Sequence, residues 1–335
     1  MYNIAAQMSR RLTRPVPKAW VSTGFKVKNR TKGILAITVS AFGFALMALF
    51  VRLCDDYGSP VSSFQKSFFR NVVALAIAGV AFYRTRGVLA ARAEDGTALA
   101  NVREQPSAAR QPKVARMLRV RCWAPLVLRA LLGTCGIFAN FYALSHITIA
   151  EGQTLNKTAP FFTVLFAWLF LGEKVTRRHV LPLALAFLGV VLIAKPGFAG
   201  AQAFPLAMGL LGGICAGGAY TCVRSLRRHA VDPAFIIFFF SAFSCLASVP
   251  FMVAGFDPMT WRQVLILFGA GAGAALGQFG ITLAYGYAAP REIAVFDYSN
   301  ILFTAAFGFV FFAQVPDVWS VLGFVAILVA AFRMR

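Results

Sequence analysis

The stretch of sequence that decides the fold is AEGQTLNKTAPFFTVLFAWLFLGEK, residues 150–174. From Leu155 onward it is apolar and close to the ~20 residues that a helix needs to cross a bilayer. Its first third nevertheless contains Glu151, Gln153, Asn156 and Lys157. A charge facing lipid near the bilayer centre costs about 2.5–3.5 kcal/mol on insertion scales. The polar stripe is therefore predicted to face the interior of a helical bundle.

The rest of the chain has the composition of a polytopic membrane protein. Hydrophobic residues make up 59% of it and charged residues 13%, whereas soluble domains contain about 25% charged residues. Apolar windows of spanning length lie near residues 33–53, 64–83, 123–144, 152–171, 180–194, 204–222, 233–254, 264–287, 293–313 and 318–332. We predict an all-α integral membrane protein with ten transmembrane helices.

The basic residues indicate the orientation of the helices, because Lys and Arg near span ends stay on the cytoplasmic side. With the N-terminus inside, the exterior connections hold only Lys195 and Arg262. We predict a protein of the cytoplasmic (inner) membrane with both termini in the cytoplasm. The formal net charge of +21 then reflects topology and contact with anionic membrane lipid. No nucleic-acid partner is expected, although such charge suggests one in a soluble protein.

Two basic segments are predicted to lie outside the bundle. Residues 1–32 form an arm without acidic residues, and residues 84–121 form a long connection rich in Ala and Arg. We expect both to be mobile cytoplasmic segments. The acid-free N-terminus is also compatible with an organelle transit peptide.

The sequence lacks the patterns of common catalytic and metal sites. It contains no phosphate-cradling G-x-x-x-x-G-K-[ST] run. Its three histidines, His146, His179 and His229, share no ligand spacing. None of its six cysteines forms a C-x-x-C pair, so buried free thiols are expected. We expect no metal, no cofactor, no catalytic residues and no enzymatic activity.

An internal repeat relates the two halves of the chain. A shift of 141 residues places Gly136 on Gly277 and brings the third, fourth and fifth spans onto the eighth, ninth and tenth. We predict two five-helix halves, residues 33–195 and 204–335. Because five is odd, the second half enters the bilayer from the opposite side. Such inverted repeats are a recurring architecture of secondary transporters.

The third to fifth spans carry a family resemblance. They combine a small-residue third span, Pro160, the Gly172-Glu173 pair at the end of the fourth span and a glycine in the fifth. In these features the chain resembles the EamA-type domain of the drug/metabolite transporter superfamily, over about residues 33–333. The resemblance implies a ten-helix secondary transporter that moves small organic solutes by alternating access. The second half departs from the pattern at Ile301 and at the Ala313-Gln314 pair.

Two helices carry glycine at every fourth position, which lets helix backbones approach closely. The runs are Gly209/Gly213/Gly217 in the sixth span and Gly269/Gly273/Gly277 in the eighth. We expect both faces to contact protein, either as static packing or as sliding surfaces. The run FIIFFF, residues 235–240, is bulky on all sides and is predicted to face lipid or general core.

Polar side chains recur at helical spacing inside three spans. They are Gln153, Asn156, Lys157 and Thr163 in the fourth span, Arg129 and Asn140 in the third, and Asp297, Asn300 and Thr304 in the ninth. A rise of ~1.5 Å per residue places Lys157 and Asp297 on opposite sides of the membrane midplane. Their separation along the membrane normal is then about 10 Å in a ~30 Å core, which leaves room for a solute between them.

We therefore predict a central solute-binding cavity. Its substrate-binding residues are predicted to be Arg129, Asn140, Tyr142, Gln153, Asn156, Lys157, Tyr298 and Asn300. Arg129 and Lys157 suit an anionic group on the solute, and Asp297 is the candidate for proton coupling. The gate candidates are Arg70, Glu151 and Glu292.

Other interpretations of the same residues remain open. Lys157 can instead reach outward to Glu151, as long basic side chains do near span ends, and Asp297 can bond to a neighbouring hydroxyl or amide. A secondary transporter of a small organic solute is the predicted function, and a non-transporting scaffold or lipid-handling protein is the alternative. The sequence leaves open the substrate, the direction, the coupling ion and the oligomeric state, for which a homodimer is one option.

Overall fold

The computed structural model describes residues 23–59, 61–94, 120–146, 155–194, 203–313 and 318–333. Within these ranges all regular secondary structure is helical. The helices are α1 Thr23–Asp56, α2 Ser63–Glu94, α3 Val120–His146, α4 Ala159–Leu171, α5 Arg177–Ala194, α6 Ala203–Arg228, α7 Pro233–Ala254, α8 Trp261–Tyr287, α9 Pro290–Ile293, α10 Ser299–Phe312 and α11 Val318–Arg333. A 3₁₀ helix, Ala294–Tyr298, joins α9 to α10.

The described helices are those of an integral membrane protein. Seven stretches of this part of the chain are long and apolar enough to cross a bilayer. They belong to α1, α2, α3, α6, α7, α8 and the continuous segment from α9 to α10. Two shorter apolar helices, Ala159–Leu171 and Val321–Ala330, lie in the fourth and tenth predicted spans. These helices confirm the prediction of an all-helical membrane protein.

The structure corrects the limits of the two basic segments. Helix α1 already begins at Thr23, inside the predicted arm, and α2 continues to Glu94, inside the predicted connection. Residues 23–32 and 84–94 are therefore helical rather than loop, whereas residues 1–22 and 95–119 lie outside the described ranges. Ala, Arg, Lys, Leu and Glu are good helix formers, so a spanning helix can continue beyond the hydrocarbon without an apolar face.

Glycine contacts bring helices from the two halves of the chain together. Helix α1 packs against α8, and α3 packs against α6 in the same manner. A Cβ atom added to Gly43 of α1 would lie 2.6 Å from the Gly277 nitrogen and 2.9 Å from the Gly273 oxygen. Ser40 of α1 also donates a hydrogen bond to the Gly277 carbonyl, at 2.7 Å. Such close approach is available only where no side chain separates the two backbones.

The glycine runs predicted to contact protein do so. In the sixth span, Gly209, Gly213 and Gly217 are all buried. In the eighth, Gly273 and Gly277 are buried against α1, and a Cβ at Gly269 would contact the Phe50 ring at 3.2 Å. The FIIFFF run lies mainly in the protein core, with Ile236, Ile237 and Phe240 buried.

The glycine contacts of α6 with α3 resemble those of α1 with α8. Gly212 of α6 approaches Gly136 and Asn140 as Gly43 of α1 approaches Gly273 and Gly277. Small residues recur every four positions in these helices, so sequence similarity alone does not fix the register between them to within one turn.

Helices α4 and α10 end in the same way. Helix α4 ends at Gly172 with φ 63°, and α10 ends at Ala313 with φ 51°. Both residues are left-handed, although this conformation costs a non-glycine residue about 1–2 kcal/mol. The replacement of glycine by alanine in the second half therefore leaves the helix end unchanged.

We expect Gly43→Ala to destabilise the protein, because the new methyl group would force α1 away from α8. Overpacking of this kind costs about 1–3 kcal/mol, and the thermal midpoint of the detergent-purified protein should fall accordingly. The matched control is Gly255→Ala, since a Cβ there meets no atom within 4 Å. Equal midpoints for the two variants would contradict the assigned contact.

Candidate functional site

The fourth and ninth predicted spans are both interrupted near their first polar residues. Helix α4 begins only at Ala159, after a turn in which the N–H and Oγ1 of Thr158 donate to the Leu155 carbonyl at 3.1 and 2.6 Å. In the ninth span the 3₁₀ helix Ala294–Tyr298 separates α9 from α10. Interrupted helices at corresponding positions of two halves indicate the solute site of many transporters.

A cavity of about 150 Å³ lies beside both interruptions. Its walls come from α1, α2, α3, α6, α7 and α8 as well as from the two interrupted spans. The polar residues that line it are Arg70, Arg129, Asn140, Asn156, Lys157, Tyr220, Gln278, Asp297, Asn300 and Thr304. Three of these side chains are cationic and one is anionic, so the described lining carries an excess of two positive charges.

The Arg129 guanidinium is held by neutral groups. Its Nη2 atom donates to Gln278 Oε1 at 3.0 Å, and its Cζ lies 3.9 Å from the centre of the Phe240 ring. Gly133, one turn along α3, leaves room for the guanidinium, because a Cβ there would collide with Arg129 Nη1 and with Phe240. These contacts orient the cation towards the cavity without neutralising its charge.

Lys157 and Asp297 face the cavity from the two interrupted spans. Their exposed fractions are 8% and 7%, yet neither side chain makes a hydrogen bond or an ion pair within 4.0 Å to another described residue. The two charges still interact electrostatically across the cavity. Two such groups cost much less to bury when they line a polar cavity than when they face lipid.

Arg70 of α2 is the third cation of the cavity. Its exposed fraction is 8%, and its Nε has no hydrogen-bond partner among the described residues. Asp297 is the only acidic side chain in the described lining. Arg70 thus supplies a buried positive charge that no described carboxylate contacts directly.

The structure brings together most of the residues predicted for the site. Arg129, Asn140, Asn156, Lys157, Asp297 and Asn300 all line the cavity, together with the gate candidate Arg70. Asn300 is anchored there by a hydrogen bond from its Nδ2 to the Ala41 carbonyl, 2.9 Å long. Gln153 and Glu151 lie outside the described residues.

Other predicted site residues lie elsewhere. Tyr142 is 39% exposed and packs on Phe204, with ring centres 5.6 Å apart, in an apolar groove on the outside of the bundle. Tyr298 is fully buried in an apolar cluster that includes Val164 and Leu183. Helical spacing restricts a side chain to one face of its helix, but the rotation of that helix against its neighbours decides what the face contacts.

The cavity residues that were not predicted include Gln278, Tyr220 and Phe240. Gln278 is a polar residue in an otherwise Gly/Ala-rich span, so its polarity could have indicated it. Tyr220 does not belong to any of the three series of polar residues identified in the sequence. Phe240 belongs to the FIIFFF run, which was predicted to face lipid or general core. Phe240 became recognisable only through its contact with Arg129.

A second group of charges closes the end of the bundle where α4, α6 and α8 terminate. Glu173 is 4% exposed and accepts hydrogen bonds from Arg224 Nε at 2.9 Å and from Arg228 Nη2 at 2.5 Å. Arg224 Nη1 also donates to the Tyr285 carbonyl at 2.8 Å, and Arg228 Nη1 to the Leu171 carbonyl at 3.0 Å. The Glu173 carboxylate thus joins the ends of α4 and α6, and Arg224 links both to α8.

The gate candidate Glu292 lies near this network but is less constrained. Its carboxylate is 34% exposed and 4.0 Å from Arg291, whose Nη1 donates to the Lys174 carbonyl. His179, at the start of α5, is close by, and partial burial together with the Arg291 charge lowers the pKa of its imidazole. Among the described residues no group of three metal-ligating side chains occurs.

A membrane-embedded helical bundle with ionisable residues around an internal cavity has the construction of a solute transporter. The EamA-like transporter family matches residues 31–195. The pseudopaline exporter CntI of Pseudomonas aeruginosa is 34% identical over 212 residues, which cover 62% of this chain and 74% of that protein. The chain therefore belongs to the EamA-like transporter family.

Two further comparisons agree with this assignment. A riboflavin transporter of Brucella anthropi is 29% identical over 216 residues, which cover 61% of this chain and 73% of that protein. A solved crystal structure superimposes with a TM-score of 0.66 at 18% identity, over 88% of this chain and 94% of the other. The structural match extends the shared fold well into the second half of the chain.

We expect Glu173→Gln to destabilise the protein by about 3 kcal/mol, the lower end of the range for breaking a buried ion pair, because Arg228 retains contact with solvent. Thermal unfolding in detergent would measure the effect. The matched control is Glu292→Gln, whose loosely paired carboxylate should contribute less than about 1 kcal/mol. An equal loss of stability in both variants would show that the buried Glu173 ion pairs do not stabilise the protein more than the exposed Glu292 pair.

Proposed function

We propose that the protein is a secondary transporter that moves a small organic anion across the membrane by alternating access. The observation that carries the proposal is the single cavity that contains Arg70, Arg129, Lys157 and Asp297, all at least nine-tenths buried. A scaffold would have no use for four buried charges, each of which is expensive inside a membrane. A charged solute supplies the partner that makes such an arrangement favourable.

Two inverted five-helix repeats are the proposed architecture, with ten spans in all. The helix contacts support it, because α1 packs on α8 and α10 as α6 packs on α3 and α4. Two further contacts, α2 with α7 and α5 with α11, join helices that would exchange under the same two-fold relation. The cavity then lies between the halves, where transporters of this architecture bind their solutes.

The proposed location is the inner membrane, with both termini in the cytoplasm, and the Lys and Arg distribution supports it. The Glu173 network then lies at the cytoplasmic end. The network joins α4 and α6 through Glu173 and reaches α8 through the hydrogen bond from Arg224 Nη1 to the Tyr285 carbonyl, so separating α6 from α8 at this end requires that bond to break. We propose that this network closes the cytoplasmic path and that its opening is one half of the transport cycle.

The solute is proposed to be a metabolite rather than a lipid. The relatives named for pseudopaline export and riboflavin transport support a water-soluble organic molecule. The excess of positive charge in the cavity supports an anion, because opposite charge stabilises the buried guanidinium and ammonium groups. A lipid-handling protein would instead be independent of any soluble solute.

We expect Lys157→Met to reduce transport at least tenfold, since a charged hydrogen bond contributes about 1.5–3 kcal/mol. The assay is uptake of a panel of carboxylates, amino acids and riboflavin into proteoliposomes. Lys174→Met is the control, because that lysine is exposed and its side chain is remote from the cavity. Wild-type uptake by Lys157→Met would remove this lysine from the mechanism.

Asp297 is proposed to carry the coupling proton, since it is the acidic residue of the described cavity and its carboxylate accepts no hydrogen bond there. In Asp297→Asn, uptake should no longer respond to an imposed proton gradient, while solute exchange across the membrane should persist. Asp56→Asn, an exposed aspartate, is the control. Gradient-driven uptake by Asp297→Asn would exclude the proton role.

A further inference from the structure

The two arginines of the cavity form a distinct charged group. Arg70 projects from α2 and Arg129 from α3, and both line the same cavity with exposed fractions of 8% and 3%. Each has an Nε atom without a hydrogen-bond partner among the described residues. Their charges repel each other. Two like charges held together inside a protein are unfavourable unless a third group balances them.

The other two charges of the cavity, on Lys157 and Asp297, have opposite sign and compensate each other. The net charge of the described lining therefore arises from Arg70 and Arg129. The contacts of Arg129, with the Gln278 amide and the Phe240 ring, leave its charge unchanged.

The chemistry of the guanidinium group restricts what can bind there. Its planar fork of N–H donors matches the oxygen pairs of carboxylates and phosphates. The two forks come from different helices, so they can engage two oxygen pairs of one solute. A cavity of about 150 Å³ has the size of the engineered cavity that accommodates benzene. The bound portion of the solute is therefore small.

We propose that the solute carries two negative charges, which Arg70 and Arg129 bind together. The proposal deepens the transport function above and rests on it. Two carboxylates joined by a short chain, or one phosphate monoester, provide this chemistry. A monoanion of the same size leaves one guanidinium uncompensated and binds more weakly.

The test uses isothermal titration calorimetry to measure how tightly matched probes bind to the purified full-length protein. Succinate is the dicarboxylate, its monomethyl ester is the monoanion of similar size, and glycerol 3-phosphate represents the phosphate monoesters. We expect succinate or glycerol 3-phosphate to bind at least about tenfold more tightly than the monoester, which corresponds to ~1.4 kcal/mol. Whichever of succinate and glycerol 3-phosphate binds more tightly shows whether the solute is a dicarboxylate or a phosphate monoester.

Variants connect the preference to the two arginines. In Arg70→Gln and in Arg129→Gln the ratio of dianion to monoester affinity should fall towards one. Arg70→Lys keeps the charge but loses the fork, so it should retain only part of the ratio. Arg262→Gln, an exposed arginine outside the cavity, should behave as wild type. The ratio, unlike absolute affinity, does not change if a variant is merely less stable.

Each result has a separate meaning. Equal affinity of wild type for succinate and its monoester, no binding of either dianion at millimolar concentration, or an unchanged ratio in both glutamine variants overturns the proposal. If another solute is still taken up into proteoliposomes in a Lys157-dependent manner, the transport function stands without the dianion. If a dianion binds through both arginines but is not moved across the liposome membrane, the site stands and the transport function fails.

Discussion

A charge inside a bilayer must face protein or water, and the central part of this structure follows from that constraint. Lys157 and Asp297 sit where the fourth and ninth spans are interrupted, and Arg70 and Arg129 approach from α2 and α3. Facing lipid, each would cost about 2.5–3.5 kcal/mol near the membrane centre. Placed around one cavity, their charges act on one another and on whatever enters it. The helices are oriented so that every one of these groups points inward.

Close backbone contacts make that orientation possible. Gly43 and Gly273 allow α1 and α8 to touch, and Gly136 and Gly212 do the same for α3 and α6. Without side chains between them, the helices pack tightly at these places, and the wider space remains where the spans are interrupted. The Glu173 network then ties the helix ends on one side.

The sequence predicted much of the cavity because polar residues are rare inside spans. Arg129, Asn156, Lys157, Asp297 and Asn300 were identified by helical spacing alone, and the structure places them together. The same reasoning failed for Tyr142 and Tyr298, since helical spacing does not determine how each helix is rotated or where a span is interrupted. Neither could it identify the ion pairs of Glu173, whose partners lie more than fifty residues away.

The sequence by itself determined the membrane class, most of the helices, and the requirement that the charges inside its spans avoid lipid. These properties depend on local hydrophobicity and on the energy of a charge in hydrocarbon, both of which can be read from consecutive residues. The tertiary structure decided that Arg129 rests on Phe240 and Gln278, that Gly43 packs against Gly273, and that Arg70 belongs to the cavity. Those outcomes depend on which helices meet and at what rotation, and side chains distant in the chain determine both.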